Sequence, residues 1–298
     1  NEQRLSFLYS ATEHPSVIEP MKQLERTGCS IQSLEGDCNG IVNPEYWKQQ
    51  CNDNVKLASI MHANNESGVI QPMSTIASLL KAKGVALHVD AVQSAGKITL
   101  NFNALGADFM TLSSHKIYGP KGVGALVYQR QSAPNAMICG GGQEHGARSG
   151  TENVAGIIGF GEAARLACEE LEQRSRHYLS LRQSLESQLH QLSGVSIVAV
   201  EAERLPNTTQ IIVDDVDGEM LLMLMDKQSI CISGGSACAS RVVEPSPVLM
   251  AMGYSRQQAL AAIRISFGIQ NNLKEVDQFV VALKQALEQL RGELIDKA

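Results

Sequence analysis

Through its first half the chain alternates short apolar runs with stretches of helical periodicity, and few architectures accept that rhythm. The runs over residues 5–9, 55–61, 84–90, 108–112 and 123–128 have the length of strands, whereas 16–26 and 73–82 space their apolar residues as helices do. Strands joined through helices by short links pack as a mostly parallel sheet covered by helices. Leu166, Leu171, Leu181, Leu185, Leu189 and Leu192 predict one long helix over residues 157–192, suited to bridging two halves. Beyond it, strand-like runs over 195–200, 210–213 and 230–233, a helix over 218–225 and an amphipathic terminal helix through Phe279, Leu283, Leu287 and Leu290 predict a smaller α/β unit. The expected division is a large domain over residues 1–170 and a small one over 171–298, and 44% hydrophobic content in 298 residues is ample for two cores.

The run over 108–112 leads into Ser113-Ser114-His115-Lys116 and then Ile117-Tyr118-Gly119-Pro120-Lys121-Gly122, whose glycines and proline mark a turn. Lys116 therefore stands at the carboxyl end of a strand, the rim where open α/β sheets take their ligands. The run over 84–90 ends on Asp90, so acid and amine share that rim. A lysine can hold an aldehyde cofactor as a Schiff base, and a buried acid can keep a pyridine nitrogen protonated; that pairing is how proteins hold pyridoxal phosphate as an electron sink. Two such residues also read as solvated loop positions or an ion pair, and by themselves they leave both readings open.

A net charge of −6 without a long basic run argues against nucleic acid as a partner. The apolar runs are broken by glycine or charge before they reach the length of a bilayer span, and the first residues lack the pattern of a signal peptide. A cytoplasmic protein with no membrane partner is expected. Its seven cysteines are odd in number and form neither a C-x-x-C pair nor a cluster at zinc spacing, which predicts a reducing compartment, no metal site and mostly structural thiols. Cys238 differs, because Ser233-Gly234-Gly235-Ser236-Ala237-Cys238-Ala239-Ser240 is too small and polar for a core and suits a thiol that must travel.

Taken together, Ser113 to Gly122, His88-Val89-Asp90-Ala91-Val92-Gln93-Ser94 and Ser233 to Cys238 resemble the cysteine desulfurase family, the NifS/IscS-like class V enzymes of the fold-type-I pyridoxal-phosphate group. Thr12-Glu13-His14, Met61-His62-Ala63-Asn64-Asn65-Glu66, Arg148-Ser149-Gly150-Thr151, Glu244-Pro245-Ser246 and Ile263-Arg264-Ile265-Ser266-Phe267-Gly268 follow in the family's order. The resemblance implies an α/β fold: a large, mostly parallel PLP-binding domain and a small C-terminal domain that carries the cysteine loop. It implies conversion of L-cysteine to L-alanine, with sulfur passed as a Cys238 persulfide to an acceptor protein such as an iron–sulfur scaffold, or toward tRNA thiolation. Pyridoxal 5′-phosphate would be covalently held by Lys116, which also shuttles a proton, with Asp90 at the pyridine nitrogen and His14 stacked on the ring and sharing in proton transfer. Asn65 and Gln93 would face the phenolic oxygen, and Asn65 also the substrate. Ser113 and His115 would hold the phosphate. Thr151 would reach the phosphate of a neighbouring subunit, which implies a homodimer. Arg264 would pair with the substrate carboxylate, although read alone it equally suits a structural ion pair.

The family pattern also has an N-terminal segment whose Gly-Ala-Thr loop caps a helix on the phosphate. No residues here match it, so the phosphate is expected to rest on Ser113, His115 and Thr151. Two alternatives follow. One is a selenocysteine lyase or another class V enzyme; the other is a shortened, non-catalytic partner-binding subunit from which cofactor and activity are absent. Gly234 stands where serine is common in the family, which is expected to loosen the cysteine loop.

Overall fold

The computed structural model describes residues 4–234 and 244–295. Its first half contains β1 (Ser6–Ser10), α1 (Pro15–Arg26), β2 (Ser30–Leu34), α2 (Pro44–Gln50), β3 (Val55–Met61), α3 (Met73–Ala82), β4 (Ala86–Asp90), β5 (Phe109–Ser113) and β6 (Gly124–Tyr128). These six strands form one sheet in the order β2-β1-β3-β4-β5-β6, parallel except for β6, which returns antiparallel beside β5. The expected mostly parallel sheet is thus present. Leu8, Ile60, Leu87 and Val89 of the strands pack with Trp47 of α2 and with Ile76 and Leu80 of α3 in one core. On α3 the buried residues Met73, Ile76, Ala77 and Leu80 follow the three-and-four spacing that lays one face on the sheet.

β2 and α2 carry no apolar run that predicts them. β2 is an edge strand whose SIQSL sequence buries only Leu34, and α2, seven residues long, is too short to show a period. Its start is set instead by Asn43, which accepts hydrogen bonds from the N–H groups of Glu45 and Tyr46, followed by Pro44 in the first turn.

The single long helix expected over 157–192 is two, α4 (Val154–Glu169) and α5 (Leu171–Leu189), separated at Glu170, whose φ of −98° and ψ of 5° leave the helical region. The two bury different kinds of face. α5 buries Tyr178, Leu181, Leu185 and Leu189, whereas α4 buries Gly156, Ala163 and Ala167, so the leucine spacing describes only the second. After α5 come β7 (Val195–Ile197), β8 (Thr208–Val213), α6 (Gly218–Lys227), β9 (Ser233–Gly234), α7 (Pro247–Ala251), α8 (Arg256–Leu260), β10 (Ala262–Ser266) and α9 (Leu273–Ile295). The four strands make an antiparallel sheet in the order β7-β8-β10-β9. A second core joins Leu185 of α5, Ile211 of β8, Leu221 of α6, Ile263 of β10 and Leu283 of α9. Among the described residues no helix is long and apolar enough to cross a membrane.

Candidate active site

Because β3, β4 and β5 run parallel, their carboxyl ends fall on one edge, with Met61 opposite Asp90 and Asp90 opposite Thr111. β5 passes directly into a single 3-10 turn over Ser114–Ile117, which lifts Lys116 onto that edge. The turn closes through Tyr118, in the left-handed region at φ 71°, and through Gly119, where an added Cβ would lie 2.2 Å from Ser114 Oγ. Only glycine fits there. The small-residue face of α4 lies against this turn, with Ala163 and Ala167 packed on Ile117. α5 grips it from the other side: the Tyr118 and Tyr178 hydroxyls are 3.2 Å apart, and the Arg174 guanidinium sits 5.6 Å from the Tyr118 ring centre.

A cavity of about 220 Å³ opens beside the turn, between the two sheets. Asn65, Gln93, His115 and Lys116 line it from the large sheet's side and Arg264 from β10. Lys97 and Arg174 add two more cations, and among the described residues no carboxylate lines it. Burial, and then the charge of Arg264, hold the Lys116 amine below its ordinary pKa. Lys97 is pulled down further, to about 7, by burial and by the charges of Lys116 and Arg264. Its Nζ donates to the main-chain oxygen of Gln93 at 2.7 Å and to Oε1 of the same side chain at 3.0 Å. Arg264 Nη1 donates to Asn65 O at 2.7 Å, while among the described residues its buried Nε has no hydrogen-bond partner.

Asp90 is buried at the end of β4 and is raised above its ordinary pKa by desolvation, opposed by the Val92 N–H that donates to Oδ1 at 2.9 Å and by the charge of His14. A buried carboxylate in this condition gains from a cation placed against it. Glu13 lies close enough for the two acids to repel, and burial followed by Asp90 raises it well above its ordinary value. His14 caps α1, its Nδ1 accepting from Ser16 N–H at 3.1 Å. Ser113 Oγ and His115 Nδ1 are 2.9 Å apart.

The fold therefore gathers Asn65, Gln93, His115, Lys116 and Arg264 around one cavity, with Asp90, His14 and Ser113 on the same rim. Thr151 is exposed and does not line the cavity. Cys238 lies outside the described residues. Lys97, Arg174 and Tyr178 lie in no motif that singles them out, and Glu13, although inside Thr12-Glu13-His14, has no role assigned by it. The arrangement fits pyridoxal phosphate: an amine held below its ordinary pKa, a buried carboxylate raised above its own, and a cationic cavity for a phosphate and a carboxylate.

The family model for class-V aminotransferases matches residues 2–279. Among curated proteins, the chain is 39% identical to the cysteine desulfurase IscS of Vibrio cholerae over 294 residues, 98% of this chain and 72% of that one. It is 40% identical to the IscS of Photobacterium profundum over 282 residues, 94% of this chain and 69% of the relative. Among solved structures, a NifS-like protein from Rickettsia africae superposes with a TM-score of 0.86 at 34% identity, covering 96% of this chain and 76% of that one. A second NifS-like protein gives 0.88 at 36% identity over 96% of this chain and 75% of its own.

Proposed function

This chain belongs to the class-V aminotransferase family, among its NifS/IscS-like cysteine desulfurases, and from that premise we propose how its own residues carry the reaction. The reaction converts L-cysteine and the Cys238 thiol to L-alanine and a Cys238 persulfide. The substrate C–S bond breaks, an S–S bond forms on Cys238, and a proton takes the place of sulfur on the substrate carbon. An acceptor for iron–sulfur assembly or tRNA thiolation then takes the outer sulfur.

Pyridoxal phosphate, when bound, supplies the electron sink that lets the substrate α-carbon release its proton. Lys116 Nζ would bind the cofactor aldehyde and, when free, move the proton; its lowered pKa favours the neutral amine that both tasks need. Asp90 would hold a proton on the pyridine nitrogen, a cation that would offset the burial of the carboxylate. His14 would lie against the cofactor ring and offer Nε2 for proton transfer. Gln93 and Asn65 would serve the phenolic oxygen side, Asn65 also the substrate, and Ser113 with His115 would hold the phosphate. Arg264 takes the substrate carboxylate with the planar fork suited to it. Thr151 completes the phosphate site of a second copy, so the working form is a homodimer. The large domain ends and the small one begins at the break at Glu170.

The observation that carries this reading is the cavity itself, lined by lysines and arginines and, among the described residues, by no carboxylate, at the strand rim that holds Lys116. Turnover of L-cysteine by two variants tests it. Lys116→Ala is expected to lose cofactor and alanine formation together; Cys238→Ala is expected to keep the cofactor and lose sulfur release. Persulfide found on another cysteine of the Cys238→Ala protein would remove Cys238 from the role.

A further inference from the structure

Glu66 follows Asn65 in the turn after β3, is 8% exposed, and has no part in the chemistry above. Three distant segments converge on its carboxylate. Ser246 Oγ donates to Oε2 at 2.5 Å, Gln210 Nε2 of β8 donates to the same oxygen at 3.4 Å, and the charge of Arg264 acts on it from β10. Gln210 and Arg264 are direct partners across the antiparallel pair β8 and β10, so the acid faces the arginine's own strand register. Ser246 is fully buried, caps α7 by accepting from Leu249 N–H at 3.1 Å, and lies eight residues after Cys238 in sequence.

The same turn holds the arginine twice. Asn65 O accepts from Arg264 Nη1 at 2.7 Å, and the neighbouring carboxylate supplies the opposing charge. Among the described residues no ion pair joins Glu66 and Arg264 directly, so the guanidinium is oriented without being neutralised and keeps donors for an anion in the cavity. Burial raises the carboxyl's pKa, and the hydrogen bonds from Ser246 and Gln210 and the charge of Arg264 oppose that rise.

We propose that Glu66 is a positioning residue that orients Arg264 toward the substrate carboxylate and fixes Ser246, the cap of α7, to the same turn. The proposal rests on the desulfurase reading and adds to it the part that couples the carboxylate reader to the chain just past the thiol segment.

The test is titration of the cofactor-loaded protein with L-alanine, which carries the carboxylate and no sulfur, followed by the absorbance of the bound cofactor. Glu66→Gln keeps an acceptor for Ser246 and loses the charge. It is expected to weaken alanine binding about tenfold, with cofactor affinity and thermal midpoint unchanged and with KM for cysteine rising while kcat holds. Glu66→Asp, which restores the charge, is expected to recover part of the affinity. Should Glu66→Gln fail to fold, Ser246→Ala is expected to weaken alanine binding roughly threefold, as loss of one neutral hydrogen bond does. Unchanged alanine affinity in the folded variant, with the cofactor bound as in the wild type, would overturn the positioning role and leave the desulfurase reading standing. Wild-type protein that binds neither pyridoxal phosphate nor alanine would overturn the reading, and the role of Glu66 with it.

Discussion

Asp90 and Lys116 meet opposite consequences of the same burial: desolvation favours the neutral form of each, raising the acid and lowering the amine. Both could be read from sequence because each ends an apolar run. Lys97 and Glu13 could not, since nothing in a sequence says that a lysine four residues past a glutamine, or a glutamate beside a strand end, will be enclosed. Arg264→Met is expected to weaken cysteine binding by roughly 1.5–3 kcal/mol, the worth of a charge-assisted hydrogen bond, read as a rise in KM; an unchanged KM would take the residue out of the site. His62 offers a test of burial alone. Its ring, with Nδ1 3.0 Å from Ser94 Oγ, is held by desolvation at about 4 from an ordinary 6.5. Between those values the unfolded chain takes up a proton that the folded chain refuses, so the histidine's contribution falls by about 1.4 kcal/mol per pH unit as the pH drops. The stability advantage of wild type over His62→Gln is therefore expected to narrow from pH 6.5 toward 4 in denaturant melts, and a constant gap would contradict the burial.

The turn that presents Lys116 depends on elements packed without room to spare. Gly119 lies against Ser114 Oγ, and Gly159 of α4 lies against Pro120, where a Cβ would come within 2.6 Å of the ring. Gly119→Ala is expected to cost about 1–3 kcal/mol as an overpacked core does and to weaken cofactor binding, because the shift it forces moves the lysine's own turn. A thermal midpoint and cofactor affinity equal to wild type would show that the turn yields freely. The same closeness explains what the sequence hid. A helix that must approach a turn buries glycine and alanine, so α4 leaves no leucine stripe. The leucines that were legible belong chiefly to α5, whose large side chains fill the second core. Strands β3 and β4 and helix α3 were legible because most of their apolar residues are buried, and the edge strand β2 was not because Leu34 is its one buried residue.

At the scale of the molecule, the site exists only because the two sheets face each other: β4 and β5 supply Asp90 and the lysine turn, and β10 supplies the arginine. That meeting could not be read from either half's periodicity, and it entered through the family's motifs. The outer side of α4, just past Thr151, leaves Val154 60% and Ile158 67% exposed, an apolar face where a second copy would bring its phosphate site. Sedimentation is expected to find a dimer that Ile158→Glu weakens, with Thr151 in reach of the partner's cofactor; a wild-type monomer at all concentrations would contradict the shared site. The most direct test of the whole account is borohydride reduction of the protein mixed with pyridoxal phosphate, with peptide mapping of the label. An absorbance band near visible wavelengths that reduces to a single adduct on Lys116 is the predicted result. A protein that forms no band and leaves Lys116 unmodified, or one labelled at another lysine such as Lys97, would contradict it.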